Sequence, residues 1–291
     1  MRTFDTSEER AEVERNVRAY RKAHRRYERA HGEIFNEVEQ ERLHACMRRA
    51  VDAAGASQGG ALRALDLGCG TGNLTVHMLD LRAAVVAADV SPEFLRRVEY
   101  RFRGRPVEAV RVNGTNLDGM RDGEFDLVAA YSVLHHIPNY LSMVAELHRV
   151  LRPGGILYLD HEVNDRFWER DGCLQDLRRE LGELEASRKG WWNPQSRRWQ
   201  RFLLPSKYAA RLRTAIDPDW WWKVEGDIHT WEGDHIEWGA IESELARLGA
   251  EVVLSEDYLV HRPEYPQDFY ERHREACSDM RVMAFRKLSS G

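Results

Sequence analysis

Two stretches of this chain hold residues whose types and spacing can do chemistry. The first is Asp66-Leu67-Gly68-Cys69-Gly70-Thr71-Gly72-Asn73. It follows a short apolar run and precedes a helical pattern. Glycines at such a junction permit a tight turn and let the backbone lie close against a ligand. The helix start behind them presents unpaired N–H groups to an anion, a carboxylate as readily as a phosphate. Asp89 ends the next apolar run, where a ribose diol would lie. A dinucleotide would fit these features too. The spacing Gly68-x-Gly70-x-Gly72 is tighter than the dinucleotide pattern G-x-G-x-x-G, and Asp66 adds an acidic group able to pair with an amino group.

The second stretch is Asp227-Ile228-His229-Thr230-Trp231-Glu232-Gly233-Asp234-His235-Ile236-Glu237-Trp238, with two histidines and four acidic residues ahead of a helix. Histidine is the side chain best placed to act as a base near neutral pH. His229 and His235 are candidates for that role. So is His161, which with Glu162 ends a strand whose carboxyl edge should face a ligand crevice. His136 is a weaker candidate. His161, Glu162, Asp227, His229 and His235 could ligate a metal by composition. They have no recognised ligand spacing, so no metal is expected.

These groups must be carried by a scaffold. Strands are expected at Leu62–Leu67, Ala83–Asp89, Val107–Val112, Phe125–Ala130, Gly155–Leu159, Glu251–Val260 and Arg281–Leu288. Helices alternate with them, one opened by Ser91 as N-cap with Pro92 behind it. An Arg152-Pro153-Gly154-Gly155 turn is expected before the fifth strand. The fold class is therefore α/β, a Rossmann-like, doubly wound, mostly parallel seven-stranded sheet. Residues 1–60 form an N-terminal helical lead-in, and residues 61–163 and 236–291 the core. Residues 164–235 form an insert that leaves and re-enters at the pocket edge. All nine tryptophans lie between Trp168 and Trp238, which suits that insert to an aromatic cap or lid.

Composition excludes several classes. The 291 residues are 43% hydrophobic and 31% charged, with a formal net charge of −5. Nucleic acid is therefore not an expected partner, and no apolar run is long enough for a membrane span. The N-terminus lacks a signal-peptide core. The four scattered cysteines suggest neither a zinc knuckle nor a disulfide framework, so a cytoplasmic location is expected. Oligomeric state leaves no mark on the sequence.

Five segments occur in the order and spacing of a known family: Asp66–Gly72, Val86–Ser91, Phe125–Val128, Ser132–Ile137 and Leu151–Gly155. Over about residues 60–163 the chain resembles the class I S-adenosylmethionine-dependent methyltransferases of the small-molecule type. That resemblance implies S-adenosylmethionine as cofactor, with Asp66, Gly68, Gly70 and Asn73 around its methionine part. It places Asp89 on the ribose, Thr115 and Asn116 beside the adenine, and Tyr131 and Ser132 facing the sulfonium. Where the family often has an acidic residue after the third strand, this chain has Asn113-Gly114-Thr115-Asn116. Tyr27-Glu28-Arg29-Ala30-His31-Gly32 is similar to the family's N-terminal lead-in, which makes Tyr27 a cofactor cap.

The expected activity is methyl transfer to an oxygen or nitrogen of a small, sugar-like or secondary-metabolite acceptor. No Asn-Pro-Pro-Tyr tetrad points to a nucleic-acid amino group. The alternatives are a cofactor-binding protein of this fold with other chemistry, a protein methyltransferase, and a nicotinamide-dependent oxidoreductase.

Overall fold

The computed structural model describes residues 6–23, 27–55, 61–169, 172–188, 227–231 and 233–289. The helices α1 (Thr6–Ala23), α2 (Tyr27–Ala30) and α3 (Glu37–Ala54) lead in. Then follow β1 (Arg63–Leu67), α4 (Asn73–Asp80), β2 (Ala84–Asp89), α5 (Pro92–Arg101), β3 (Val107–Arg111), β4 (Phe125–Tyr131), α6 (Tyr140–Val150) and β5 (Leu151–Val163). The insert contributes α7 (Cys173–Arg188), β6 (Thr230–Trp231) and β7 (Asp234–His235). The chain closes with α8 (Trp238–Arg247), β8 (Ala250–Tyr258), α9 (Gln267–His273) and β9 (Met280–Lys287).

The seven-stranded sheet has the order β3-β2-β1-β4-β5-β9-β8. Strands β1 to β5 pair in parallel, and β9 runs antiparallel to both β5 and β8. Strand β4 is buried at every residue, as a central parallel strand covered on both faces must be. Side chains alternate between the two faces. Ala64, Leu127, Ala129, Ile156 and Tyr158 pack with Leu43 and Met47 of α3 and Met78 of α4. Leu65, Val128, Ala130 and Leu157 pack with Met143 and Leu147 of α6 and Trp238 and Ile241 of α8. Ser91 caps α5 by accepting a hydrogen bond from the Phe94 N–H, with Pro92 in the first turn.

Three features depart from the sequence reading. The expected turn at 152–155 lies inside β5. The β5 partner advances from Leu151 to Ile156 while β4 advances only from Phe125 to Leu127, so the Pro-Gly-Gly run is a bulge. A Cβ on Gly155 would come within 2.8 Å of the Asp126 carbonyl oxygen. Helix α9 was not foreseen. It packs with Leu174 and Leu177 of α7 around Tyr265, Phe269 and Tyr270, forming a small satellite core. Cys173 and Cys277 form a disulfide across 104 residues of sequence. The expectation of no disulfide framework is thereby corrected: the pair is set by the docking of α7 on the α9 region, for which linear spacing has no signal. Cys46 and Cys69 are free and buried.

Most of the tryptophan-rich stretch (Trp191, Trp192, Trp199, Trp220, Trp221 and Trp222) lies outside the described residues. Trp238 is not a cap residue; it is fully buried and donates its Nε1–H to the Val163 carbonyl. Among the described residues no helix is long and apolar enough to cross a membrane.

Candidate active site

At the carboxyl ends of β1, β2 and β4 a narrow cleft is lined by Leu67, Gly68, Gly70, Asp89, Val90, Val112, Gly114, Ser132 and Val133. Helices α1 and α2 close it with Val13, Asn16, Tyr20 and Tyr27. The three loop glycines differ in what fixes them. A Cβ on Gly68 would strike Val133 and one on Gly72 would strike Phe102, at 2.3 and 2.4 Å. On Gly70 it would meet nothing closer than the Gly68 carbonyl oxygen at 3.9 Å, although φ is +49°. Gly68 and Gly72 are thus glycine for packing, and Gly70 keeps a bare backbone surface on the cleft wall.

Asp89 is buried on that wall. Its carboxylate accepts the Gly70 N–H at 3.0 Å and the Ser91 N–H at 2.7 Å. Burial nevertheless raises its pKa to about 6. Asp66 is more enclosed. Thr75 donates its hydroxyl to it, yet desolvation and the nearby Asp89 push its pKa to about 7. Asn73 opens α4 and accepts from Gln40 Nε2 at 2.8 Å, while its own Nδ2 is buried without a partner. The buried Thr71 hydroxyl and Asn16 Oδ1 also lack partners. Such orphans at the head of α4 and in the cleft wall are groups a ligand can satisfy.

Other expected cofactor residues are engaged elsewhere. Asn113 Oδ1 accepts the Thr115 and Asn116 N–H groups, and Asn113 Nδ2 donates to Asn116 Oδ1 at 2.7 Å. Thr115 and Asn116 build that turn, and the cleft wall beside it is Val112 and Gly114. Tyr131 does not face the cleft either; it stacks on His161 and its hydroxyl lies 3.1 Å from His161 Nδ1. Ser132 does, with a positive φ of 53°. Tyr27 packs against Tyr20, His31, Phe35 and Phe94.

A larger cavity of about 890 Å³ adjoins the cleft, and Tyr20, Tyr27, Ser132 and His136 line both. Its wall includes His135, His136, His161, Glu162, Asp227 and His229. His161 has a φ of +63° and is buried. Burial, with Arg42 and Arg262 nearby, holds its pKa well below 6.5, so the ring is neutral. The hydroxyl of Tyr258 donates to Asp160 at 2.9 Å and accepts from Arg42 Nη2 at 2.9 Å. Its 3.2 Å contact with His161 Nδ1 is then favourable only when Nδ1 carries the proton, leaving the lone pair on Nε2. Arg42 stays charged. Burial opposes that, but Asp160, at 3.2 Å, outweighs it.

The other two expected bases are placed differently. His229 is fully buried, with Asp234 Oδ1 at 2.7 Å from Nδ1 and the Pro138 and Ile137 carbonyls at 2.9 and 3.2 Å from Nε2. These contacts fasten the insert's return to the β4–α6 loop. His235 pairs with Thr230 in the β6–β7 ribbon and packs on Trp168 at 4.7 Å. It does not cap α8, which starts at Trp238 after Glu237.

His135 is a cavity residue the sequence reading passed over. Its Nδ1 meets Glu162 Oε2 at 2.7 Å, and Glu162 Oε1 accepts the Val133 and Leu134 N–H groups. Burial works against a charge on His135, but Glu162 and Asp227 outweigh it and raise its pKa to about 9.

Residues 65–159 match the family described as the methyltransferase domain. Over those residues the chain carries a methyltransferase domain of the S-adenosylmethionine-dependent kind. It is 33% identical over 118 residues to a "Ubiquinone biosynthesis O-methyltransferase" of Xanthomonas oryzae, a match spanning 38% of this chain and 44% of that protein. The chain thus spans less than half the length of those curated relatives. An uncharacterized methyltransferase of Synechocystis is 40% identical over 138 residues, 42% of this chain and 63% of its own. Among solved structures, an S-adenosylmethionine-dependent methyltransferase from Mesorhizobium loti superposes with a TM-score of 0.51 at 17% identity, covering 84% of this chain and 98% of that one. A [4+2]-cyclase, SpnF, superposes with a TM-score of 0.50 at 17% identity, covering 86% of this chain and 81% of its own. The chain thus shares a fold with proteins of more than one named activity.

Proposed function

We propose that the chain moves a methyl group from S-adenosylmethionine to an oxygen or nitrogen of a small molecule held in the 890 Å³ cavity. The observation that carries this reading is the wall common to cleft and cavity. Tyr20, Tyr27, Ser132 and His136 border both, so a donor in one and an acceptor in the other meet at Ser132. The names of the Xanthomonas relatives put oxygen ahead of nitrogen. The volume suits a compact organic molecule better than a docked polypeptide.

When bound, S-adenosylmethionine supplies an electrophilic methyl on sulfur. Gly70 offers bare backbone to it, and Asp89 has carboxylate lone pairs left for a ribose diol. Burial and the nearby Asp89 raise the Asp66 carboxyl to about 7, and a positive amino group beside it would favour its ionised form. The orphaned Asn73 Nδ2 at the start of α4 suits a carboxylate. For a hydroxyl acceptor, His161 Nε2 takes the proton as the new bond forms, and the Tyr258 hydroxyl holds the ring in the tautomer that permits it. In this reading the insert covers the cavity, supported by Asp227, His229 and Thr230 of its return segment in the cavity wall.

The test is incubation with S-adenosylmethionine and a panel of phenolic, sugar and amine acceptors, scored by S-adenosylhomocysteine release. The reading expects release with at least one hydroxyl class. Tight cofactor binding without release across the panel would favour other chemistry on this fold, as the cyclase neighbour illustrates.

A further inference from the structure

Three side chains in the cavity wall converge on one point. His135 Nε2 lies 3.9 Å and His136 Nδ1 3.2 Å from Asp227 Oδ1, and the three atoms all lie within 4.8 Å of one another. A first-row metal with nitrogen and oxygen ligands at ~2.1 Å spans ligand separations of roughly 3–3.5 Å, so small rotations bring these atoms onto one ion.

Proximity alone would be weak; what lies behind the three groups makes it a built site. Metal-bound imidazoles are aimed by a partner on the opposite nitrogen. Here both rings have one. His135 Nδ1 is held by Glu162 at 2.7 Å, and Glu162 is itself pinned by two backbone N–H groups. His136 Nε2 is held by the Tyr20 hydroxyl at 2.9 Å. Asp227 arrives from far along the chain, yet the next two N–H groups, of Ile228 and His229, both donate to the His135 carbonyl at 2.9 and 3.2 Å. The buried His229 secures the same segment from the other side.

We propose that His135, His136 and Asp227 bind one divalent transition-metal ion in the wall of the acceptor cavity. Two imidazoles and one carboxylate suit manganese, iron, cobalt or zinc, and three ligands leave coordination positions open toward the cavity. Those positions take oxygen atoms of the acceptor, whose hydroxyl proton is then lost more easily. This last step rests on the methyl-transfer reading; the metal site does not. The ligand set shares Asp227 with the one composition suggested, and His161, His229 and His235 are not in it.

The test is titration of the chelator-stripped chain with Co²⁺, followed by visible absorption and calorimetry, with Mn²⁺ and Zn²⁺ in parallel. The expected result is one ion per chain, a raised Tm with metal, and binding weakened at least tenfold in Asp227→Asn and His136→Gln but unchanged in His235→Gln. S-adenosylhomocysteine affinity, measured on the same samples, reports folding and the cofactor site independently. Substoichiometric binding by the wild-type chain, or equal binding by Asp227→Asn while S-adenosylhomocysteine still binds, would overturn the proposal.

Discussion

Asp89 is a carboxylate kept in an enclosed wall by two backbone N–H bonds and left partly desolvated. Its raised pKa, about 6, makes cofactor affinity depend on pH. Above 6 the ionised group accepts from a ribose; as pH falls through 6 it takes a proton and loses that charge-assisted acceptor. In an Asp66→Asn background, which removes the second carboxyl raised to about 7, S-adenosylhomocysteine affinity should therefore level off above pH 6 and fall by up to about tenfold per unit below it. Calorimetry across pH 5–8 measures this, and Asp89→Asn should bind weakly at every pH with the slope gone. Asp89→Ala should cost roughly 1.5–3 kcal/mol, about ten- to a hundredfold in affinity. Gly70→Val should abolish S-adenosylhomocysteine binding by placing a branched side chain on the bare wall, while circular dichroism shows the fold retained. His161→Gln should lower kcat by about a hundredfold or more and leave cofactor affinity unchanged; equal losses in both would assign the ring to structure. At this scale the sequence was informative where the chemistry is local. Gly68, Gly70, Asp89 and Ser132 sit at or just past the carboxyl ends of three expected parallel strands, so their meeting could be read. The His135–Asp227 contact could not, because it is made by backbone hydrogen bonds between distant segments.

The elements that carry these residues differ in how openly they announced themselves. Strands β1, β2, β4 and β5 are largely buried and read as apolar runs between glycine and proline punctuation, whereas the edge strand β3 is half-exposed with charged residues at Glu108 and Arg111. Helix α9 has no such contrast: only Phe269 and Tyr270 are buried within it, too few to register as a period. The 152–155 segment carried a turn signal, and the neighbouring strand absorbed it as a bulge. The contact between α3 and α4 offers a test of element packing. His77 of α4 is buried against Gln40 and His44 of α3, at 3.0 and 3.2 Å. Desolvation and His44 lower its pKa to about 4. The unfolded chain therefore binds the extra proton between about 6.5 and 4, and the native state does not. Stability from this contact is complete above pH 6.5 and is lost as pH falls toward 4. Asp66 and Asp89, raised to about 7 and 6, act in the opposite sense, so the comparison must be differential. Urea unfolding of wild type and His77→Gln at pH 7 and pH 4.5 should show the wild type losing on the order of 2 kcal/mol more than the variant; equal losses would count against the assignment.

At the scale of the whole molecule, the methyltransferase sheet is one body and the satellite core of α7 and α9 is attached to its antiparallel edge. The sequence marked the insert by its tryptophans but did not reveal that its first helix docks on the chain between β8 and β9. The disulfide from Cys173 to Cys277 sits at that docking point. Topologically it turns residues 173–277 into a closed loop holding the rest of the insert, α8, β8 and α9. A single protease cut anywhere inside that loop severs the backbone without separating the pieces. The nicked protein should run at full mass on a non-reducing gel and fall into two fragments only after a thiol is added. A thiol reductant removes that cross-link and leaves the docking of α7 against the α9 region to the packing of the satellite core alone.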